Sequence, residues 1–217
     1  MTKVIAIDGP TASGKGTLAR RLAAHFGFAY LDTGGLYRAT ALRLLRAGAS
    51  PDTVAGNIDG AVAAASGIRP ADLTDPDLRA EATGNMASAV AALQPVRDAL
   101  FDYQQRFAAA PPDGAAGAVL DGRDIGTVIC PQADVKLFVT ASDTARATRR
   151  FRELQEKGQP ADFDTVLRDL QARDARDSGR TSAPLKPADD AVLLDTTELD
   201  IEAAFSAARE EVAARLR

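Results

Sequence analysis

The chain has 217 residues, 46% of them hydrophobic and 26% charged, with a formal net charge of −4. This predicts one folded domain over 1–217 with a sizeable core, and the acidic balance excludes a general nucleic-acid binder. No apolar run approaches the roughly 20 residues of a membrane helix, no signal-peptide pattern is visible, and one cysteine, Cys130, makes neither a disulfide nor a zinc set, so a cytoplasmic protein is expected.

The apolar run Val4-Ile5-Ala6-Ile7 predicts the first strand. Gly9-Pro10-Thr11-Ala12-Ser13-Gly14-Lys15-Gly16-Thr17 follows, and a helix over 15–26 comes next, with Leu18, Leu22 and Phe26 at helical spacing. Strand, glycine-rich turn and helix in this order read as a phosphate-binding loop. The glycines let consecutive N–H groups point inward at phosphate oxygens, and the positive end of the helix adds to that field. Gly9, Pro10, Thr11, Ala12, Ser13, Gly14, Lys15, Gly16 and Thr17 are therefore the candidate ATP-binding residues. Lys15 reaches for the β- and γ-phosphates. Gly16 stands where the usual pattern has a hydroxyl, so Thr17, one residue later, is the candidate ligand for Mg²⁺.

A short strand is predicted at 28–31, a turn at Asp32-Thr33-Gly34-Gly35, and a helix to about Arg46. Residues 51–85 are broken by glycines and prolines and read as short helices and loops. One long helix is expected over 87–110, with a break or kink near Pro95. Strands follow at 118–120, 135–139 and 191–195, and helices at 144–156, 164–177 and 199–216. Strands alternate with helices, which gives a parallel sheet with helices on both faces. The phosphate loop, Asp32-Thr33-Gly34, Asp121-Gly122-Arg123-Asp124 and Thr140 all follow strand ends, where such sheets bind ligands, and are expected to converge on one cleft. His25 is the only histidine and a poor catalytic candidate, and Cys130 reads as a small buried residue.

Five segments together resemble the bacterial cytidylate kinases, which are nucleoside monophosphate kinases of the P-loop type. They are Ile7-Asp8-Gly9-Pro10 through Thr17, Leu31-Asp32-Thr33-Gly34-Gly35-Leu36-Tyr37-Arg38, Leu120-Asp121-Gly122-Arg123-Asp124-Ile125-Gly126-Thr127-Val128, Leu154-Gln155-Glu156-Lys157-Gly158, and Arg173-Asp174-Ala175-Arg176-Asp177 through Arg180 with Ala183-Pro184-Leu185. The resemblance spans nearly the whole chain in order. It implies a P-loop NTPase fold, a five-stranded parallel sheet, an acceptor-binding region at about 35–110 and a lid at about 143–162. It implies that ATP, with Mg²⁺, phosphorylates CMP and dCMP to CDP and dCDP, and that the protein is a monomer.

The resemblance also assigns residues. Thr33, Tyr37, Arg38, Ser88, Arg97, Arg123, Asp124, Arg173, Asp177 and Arg180 would bind the acceptor. Within that set, Thr33, Arg38, Arg123 and Arg180 would hold the phosphate, Asp124 with Ser88 and Arg97 the cytosine, and Arg173 and Asp177 the sugar. Lys15, Arg123, Arg176 and Arg150 would be the catalytic cations. Read from spacing alone, Arg173 and Asp177 could pair with each other on one helix face. Asp121 and Asp124 could orient Arg123 by ion pairing. Arg146, Arg149 and Arg150 share a face that reads as a lid closing on ATP or as a solvated basic surface. Many family members carry a small β-sheet in the acceptor region, and residues 51–80 look too short and broken for it. Another small P-loop kinase with a different acceptor remains the alternative. A guanine-nucleotide switch would need an Asn/Thr-Lys-x-Asp segment, which the sequence lacks.

Overall fold

The strand β1, Lys3–Asp8, sends alternate side chains to opposite faces, and its neighbours do the same. In the computed structural model, which describes residues 2–216, β1 pairs in parallel with β3, Gly117–Gly122, and with β4, Val135–Thr140. β4 pairs in parallel with β5, Val192–Asp195, and β2, Ala29–Asp32, lies beyond β3. The order is β2-β3-β1-β4-β5 in a five-stranded parallel sheet.

The chain divides into two compact units, 1–31 with 108–217, and 32–107. In the first unit, Ile5, Ile7, Val119, Val135, Leu137 and Val139 bury one face of the sheet. Against them pack Leu18, Ala19, Leu22 and Ala23 of α1, Lys15–Phe26, and Ala208 and Val212 of α8, Ile201–Arg215. Arg21 joins the two helices: it pairs with Glu202 at 2.6 Å, and its guanidinium lies 4.3 Å from the Phe205 ring centre. His25 sits edge-on to Phe26 and Phe205, a packing role. Two further helices, α6 at Asp143–Glu156 and α7 at Phe163–Ser178, enclose a smaller cluster of Ala147, Val166 and Leu170.

The second unit is helical. α2, Thr33–Arg46, packs on α3, Ile58–Ser66, and α4, Glu81–Ala91. α5, Gln94–Ala109, begins there and continues into the first unit. Leu36, Met86, Val90, Val96 and Leu100 are fully buried. Arg43 pairs with Asp72, and Arg46 with Asp75 and Asp77, so α2 is tied to the 3₁₀ turns at Pro70–Thr74 and Pro76–Arg79. No strand lies within 33–107.

The strands fall within two residues of their expected bounds. The single helix expected over 87–110 is instead the pair α4 and α5, and α4 starts six residues earlier, at Glu81. Pro95 sits in the first turn of α5, where its missing N–H costs nothing, so the helix stops before it and restarts. One element was not anticipated: a single π-helical turn, Ile125–Ile129, directly after Arg123-Asp124.

Leu22 is wholly buried between α1 and the sheet. Leu22→Ala should lower unfolding free energy by about 2–5 kcal/mol in urea titration, through lost transfer energy and the cavity left behind.

Candidate functional site

The loop after β1 has the geometry its glycines predict. Gly14 has φ 88° and stands as the N-terminal cap of α1, a conformation that side-chain-bearing residues avoid. Ala12 enters the left-handed region at φ 60°, which costs about 1 kcal/mol for an alanine, and its side chain packs on the α6–α7 cluster. The loop carbonyls are held from several directions. Lys15 Nζ donates to Pro10 O at 3.3 Å, Arg146 Nη1 to Thr11 O at 3.0 Å, Thr196 Oγ1 to Ser13 O at 3.1 Å, and the Leu18 N–H to Gly14 O at 3.1 Å. Ser13 Oγ is buried with no hydrogen-bond partner among the described residues.

Gly16 explains itself. A Cβ there would lie 3.0 Å from Asp121 Oδ2, so a bulkier residue would crowd the carboxylate at the end of β3. Thr17 is exposed on the first turn of α1, and its hydroxyl accepts from Arg20 at 3.4 Å. Thr17 and Asp121 offer hard oxygen donors beside the loop, the donor type that Mg²⁺ takes together with phosphate oxygens.

Arg123 follows β3 and reaches three groups: its Nη2 donates to Thr11 Oγ1 at 2.7 Å, its Nε to Asp177 Oδ2 at 2.9 Å and its Nη1 to Gly122 O at 3.2 Å. Asp177, on α7, is almost fully buried and also pairs with Arg180. Burial raises its carboxyl, but the charges of Arg123, Arg180 and Arg173 outweigh this and hold it below the ordinary 3.8. Asp177 is thus an orienting partner of Arg123. The pairing of Asp177 with Arg173 alone, open from spacing, gives way to a cluster in which Arg173 is a further nearby charge. Asp124 is buried beside Asp8. Arg176 is exposed on α7.

Arg146, Arg149 and Arg150 divide their work. Arg146 is only 3% exposed and is no part of a solvated face. It pairs with Asp143 at 2.6 Å and with Asp174 of α7 at 2.5 Å while holding Thr11 O. Arg149 donates to Thr196 Oγ1 at 3.0 Å and to the Thr196 carbonyl. Arg150 pairs along the helix with Glu153 at 2.9 Å. Helical spacing placed these arginines together, but it did not show that Arg146 turns back to the phosphate loop and Arg149 to Thr196, which itself holds Ser13 O.

In the second unit, Asp32 caps α2 by accepting from the Gly35 N–H at 3.1 Å, and Arg38 lies 3.9 Å from its carboxylate. Thr33 is buried, while Tyr37 and Arg38 are half-buried. Arg97 is buried, and Ser88 Oγ is buried with no hydrogen-bond partner among the described residues. The expected site residues are thus split: Thr33, Tyr37, Arg38, Ser88 and Arg97 in the second unit, the rest in the first.

A family profile described as cytidylate kinase matches residues 5–213. The chain belongs to the cytidylate kinase family. Curated cytidylate kinases are close relatives: that of Paramagnetospirillum magneticum is 58% identical over 96% of each chain. That of Methylocella silvestris is 58% identical over 94% of this chain and 91% of its own. That of Rhodospirillum rubrum is 54% identical over 97% of each. In fold, the chain is similar to an uncharacterized protein from Eubacterium ventriosum, with TM-score 0.55 at 14% identity over 99% of this chain and 100% of that one. A cytidylate kinase has two polyanions to hold, and the cations described above are of the kind that holds them.

Because the Asp177 carboxyl is lowered on folding, its stabilisation is complete above the unfolded value of 3.8 and is lost as pH falls through the lower folded value. Asp177→Asn should cost roughly 3 kcal/mol at pH 7. That deficit should shrink as unfolding is followed below the ordinary aspartate range. A deficit independent of pH would remove the ion cluster as its cause.

Proposed function

We propose that this chain transfers the γ-phosphoryl group of ATP to CMP and dCMP, giving CDP and dCDP. The carrying observation is the convergence of Lys15, Thr11 and the Arg123–Asp177–Arg180 cluster around one phosphate loop, in a chain of this family. The ATP phosphates take the loop N–H groups and Lys15. Ser13 Oγ, buried without a partner among the described residues, has a hydrogen bond to give there. Mg²⁺, bound with ATP, supplies charge neutralisation at the phosphates, and Thr17 with Asp121 would hold it.

The acceptor falls to Thr33, Tyr37, Arg38, Ser88, Arg97, Arg123, Asp124, Arg173, Asp177 and Arg180. Arg38, Arg123 and Arg180 meet its phosphate with planar donor forks. Ser88 Oγ and Asp124 meet the cytosine edge, and Asp177 and Arg173 the sugar. An acceptor phosphate oxygen is already a nucleophile, so no protein base is needed. Catalysis is alignment plus charge stabilisation, with Arg123, Arg176 and Arg150 joining Lys15 on the group in flight. Residues of about 143–162 form the lid. Its first two turns are fixed by Arg146 and Arg149, so closure belongs to the part beyond them, which ends at Gly158, with φ 66°, and Pro160. We further propose a cytoplasmic monomer.

The test is ADP release from ATP with CMP, dCMP, UMP, AMP and GMP as separate acceptors. Turnover concentrated on CMP and dCMP is expected, and a preference for another acceptor would replace the base-site assignment. Lys15→Ala should lower kcat by about 10²–10³-fold with an unchanged circular dichroism spectrum. Near-normal turnover in that variant would move the phosphate site elsewhere.

A further inference from the structure

Asp8 is the last residue of β1, and its side chain points to the sheet face opposite Ile5 and Ile7. Its backbone sits in register with Gly122, the last residue of β3. Its carboxylate accepts two N–H bonds, from Ile125 to Oδ1 and from Gly126 to Oδ2, both at 2.8 Å. Between Gly122 and Ile125 lie only Arg123 and Asp124. The near end of that dipeptide thus leaves the β1–β3 ladder, and its far end is fastened back to the end of β1 by the Asp8 side chain.

The grip is closed from below. Lys136 of β4 runs its stem under the turn, so that a Cβ on Gly126 would meet Lys136 Cδ at 3.2 Å and Asp8 Oδ2 at 3.4 Å. The Lys136 ammonium is spent elsewhere, on Pro131 O at 2.7 Å and Asp190 at 2.9 Å. Past the clasp, the Val128 and Ile129 N–H groups both return to the Asp124 carbonyl, closing the π-helical turn. Burial pushes the Asp8 carboxyl up to about 6, against the two N–H groups that favour its charged form. The fold thus retains a buried carboxylate whose two bonded N–H groups an apolar side chain would leave without an acceptor.

We propose that Asp8 is a positioning residue for acceptor use: it clasps the 125–126 turn so that Arg123 and Asp124 are presented in one fixed orientation. This rests on the reading that those two residues bind the acceptor nucleotide.

The experiment compares wild type and Asp8→Asn in two readouts. The first is NMR-detected hydrogen exchange of the Ile125 and Gly126 amides in the free protein. The second is the KM for CMP against the KM for ATP. Asn offers one acceptor oxygen and turns an N–H toward the other amide. Losing a charge-assisted bond of this kind should speed exchange at 125 and 126 by about tenfold or more, with the Ile5 and Leu120 amides unchanged. The KM for CMP should rise by about tenfold or more, while the KM for ATP stays within about twofold. Unchanged exchange would overturn the clasp, and faster exchange with an unchanged CMP KM would overturn its role in positioning. An equal rise in both KM values would also overturn it, placing the effect in the phosphate loop that starts at Gly9.

If Asp8→Asn fails to fold, Gly126→Ala, which presses on the clasp from the Lys136 side, must show the same split. If wild type prefers another acceptor, the functional reading fails separately. The split is then measured with that acceptor, and its absence overturns the clasp.

Discussion

A loop that turns its N–H groups inward to meet phosphate turns its carbonyls outward, and every outward carbonyl removed from water needs a donor. The rest of this molecule is arranged around that need. Pro10 O is taken by Lys15, Thr11 O by Arg146, Ser13 O by Thr196 and Gly14 O by the Leu18 N–H. The donors come from α1, α6 and the segment after β5, so the loop is held by elements far apart in sequence. A loop fixed in this way has its orientation settled before ATP arrives, which is what electrostatic preorganisation requires.

The same logic governs the arginines. A guanidinium that must wait for a phosphate in a partly buried place needs a partner meanwhile, or its desolvation is uncompensated. Asp177 serves Arg123 and Arg180 together, and Asp174 with Asp143 serves Arg146. The two clusters differ in kind. Arg146 spends its donors on a loop carbonyl and two carboxylates, so it is structural support for the phosphate site. Arg123 spends donors on its neighbour's carbonyl, a hydroxyl and one carboxylate, and the last two can be shared with or exchanged for an incoming anion. Position in the fold, not residue type, separates a supporting arginine from a working one.

Local chemistry explains what could be read from the chain. The loop from Gly9 to Thr17 is legible because strand, glycines, lysine and helix start are contiguous, and the three central strands are legible because buried parallel strands are short apolar runs. The break at Pro95 was visible, though not its outcome as two helices. Contacts across great sequence distance were not legible: Arg146 to Thr11 spans 135 residues and Asp8 to Ile125 spans 117. Periodicity put Arg146 on a shared face with Arg150, and only packing on α7 shows it buried. The π-helical turn had no signal either, since its existence depends on Asp8 and Lys136 from two neighbouring strands.

Donor and acceptor recognition are therefore built under different constraints. On the proposed reading the phosphates of ATP meet backbone groups, whose directions are set by the fold, so a sequence that keeps the glycines and their outside donors can hold them. The acceptor base must be told from other bases by side chains, and those assigned to it here, Ser88, Arg97 and Asp124, stand on α4, on α5 and on a turn after β3. Side chains that choose between similar ligands act through bonds left unmade with the wrong one, and this requires that they cannot swing to compensate. Ser88 Oγ is buried, Arg97 is buried, and Asp124 is buried directly before the 125–126 amides that Asp8 clasps. If these three positions read the base, as proposed, their burial is the rigidity that such discrimination needs.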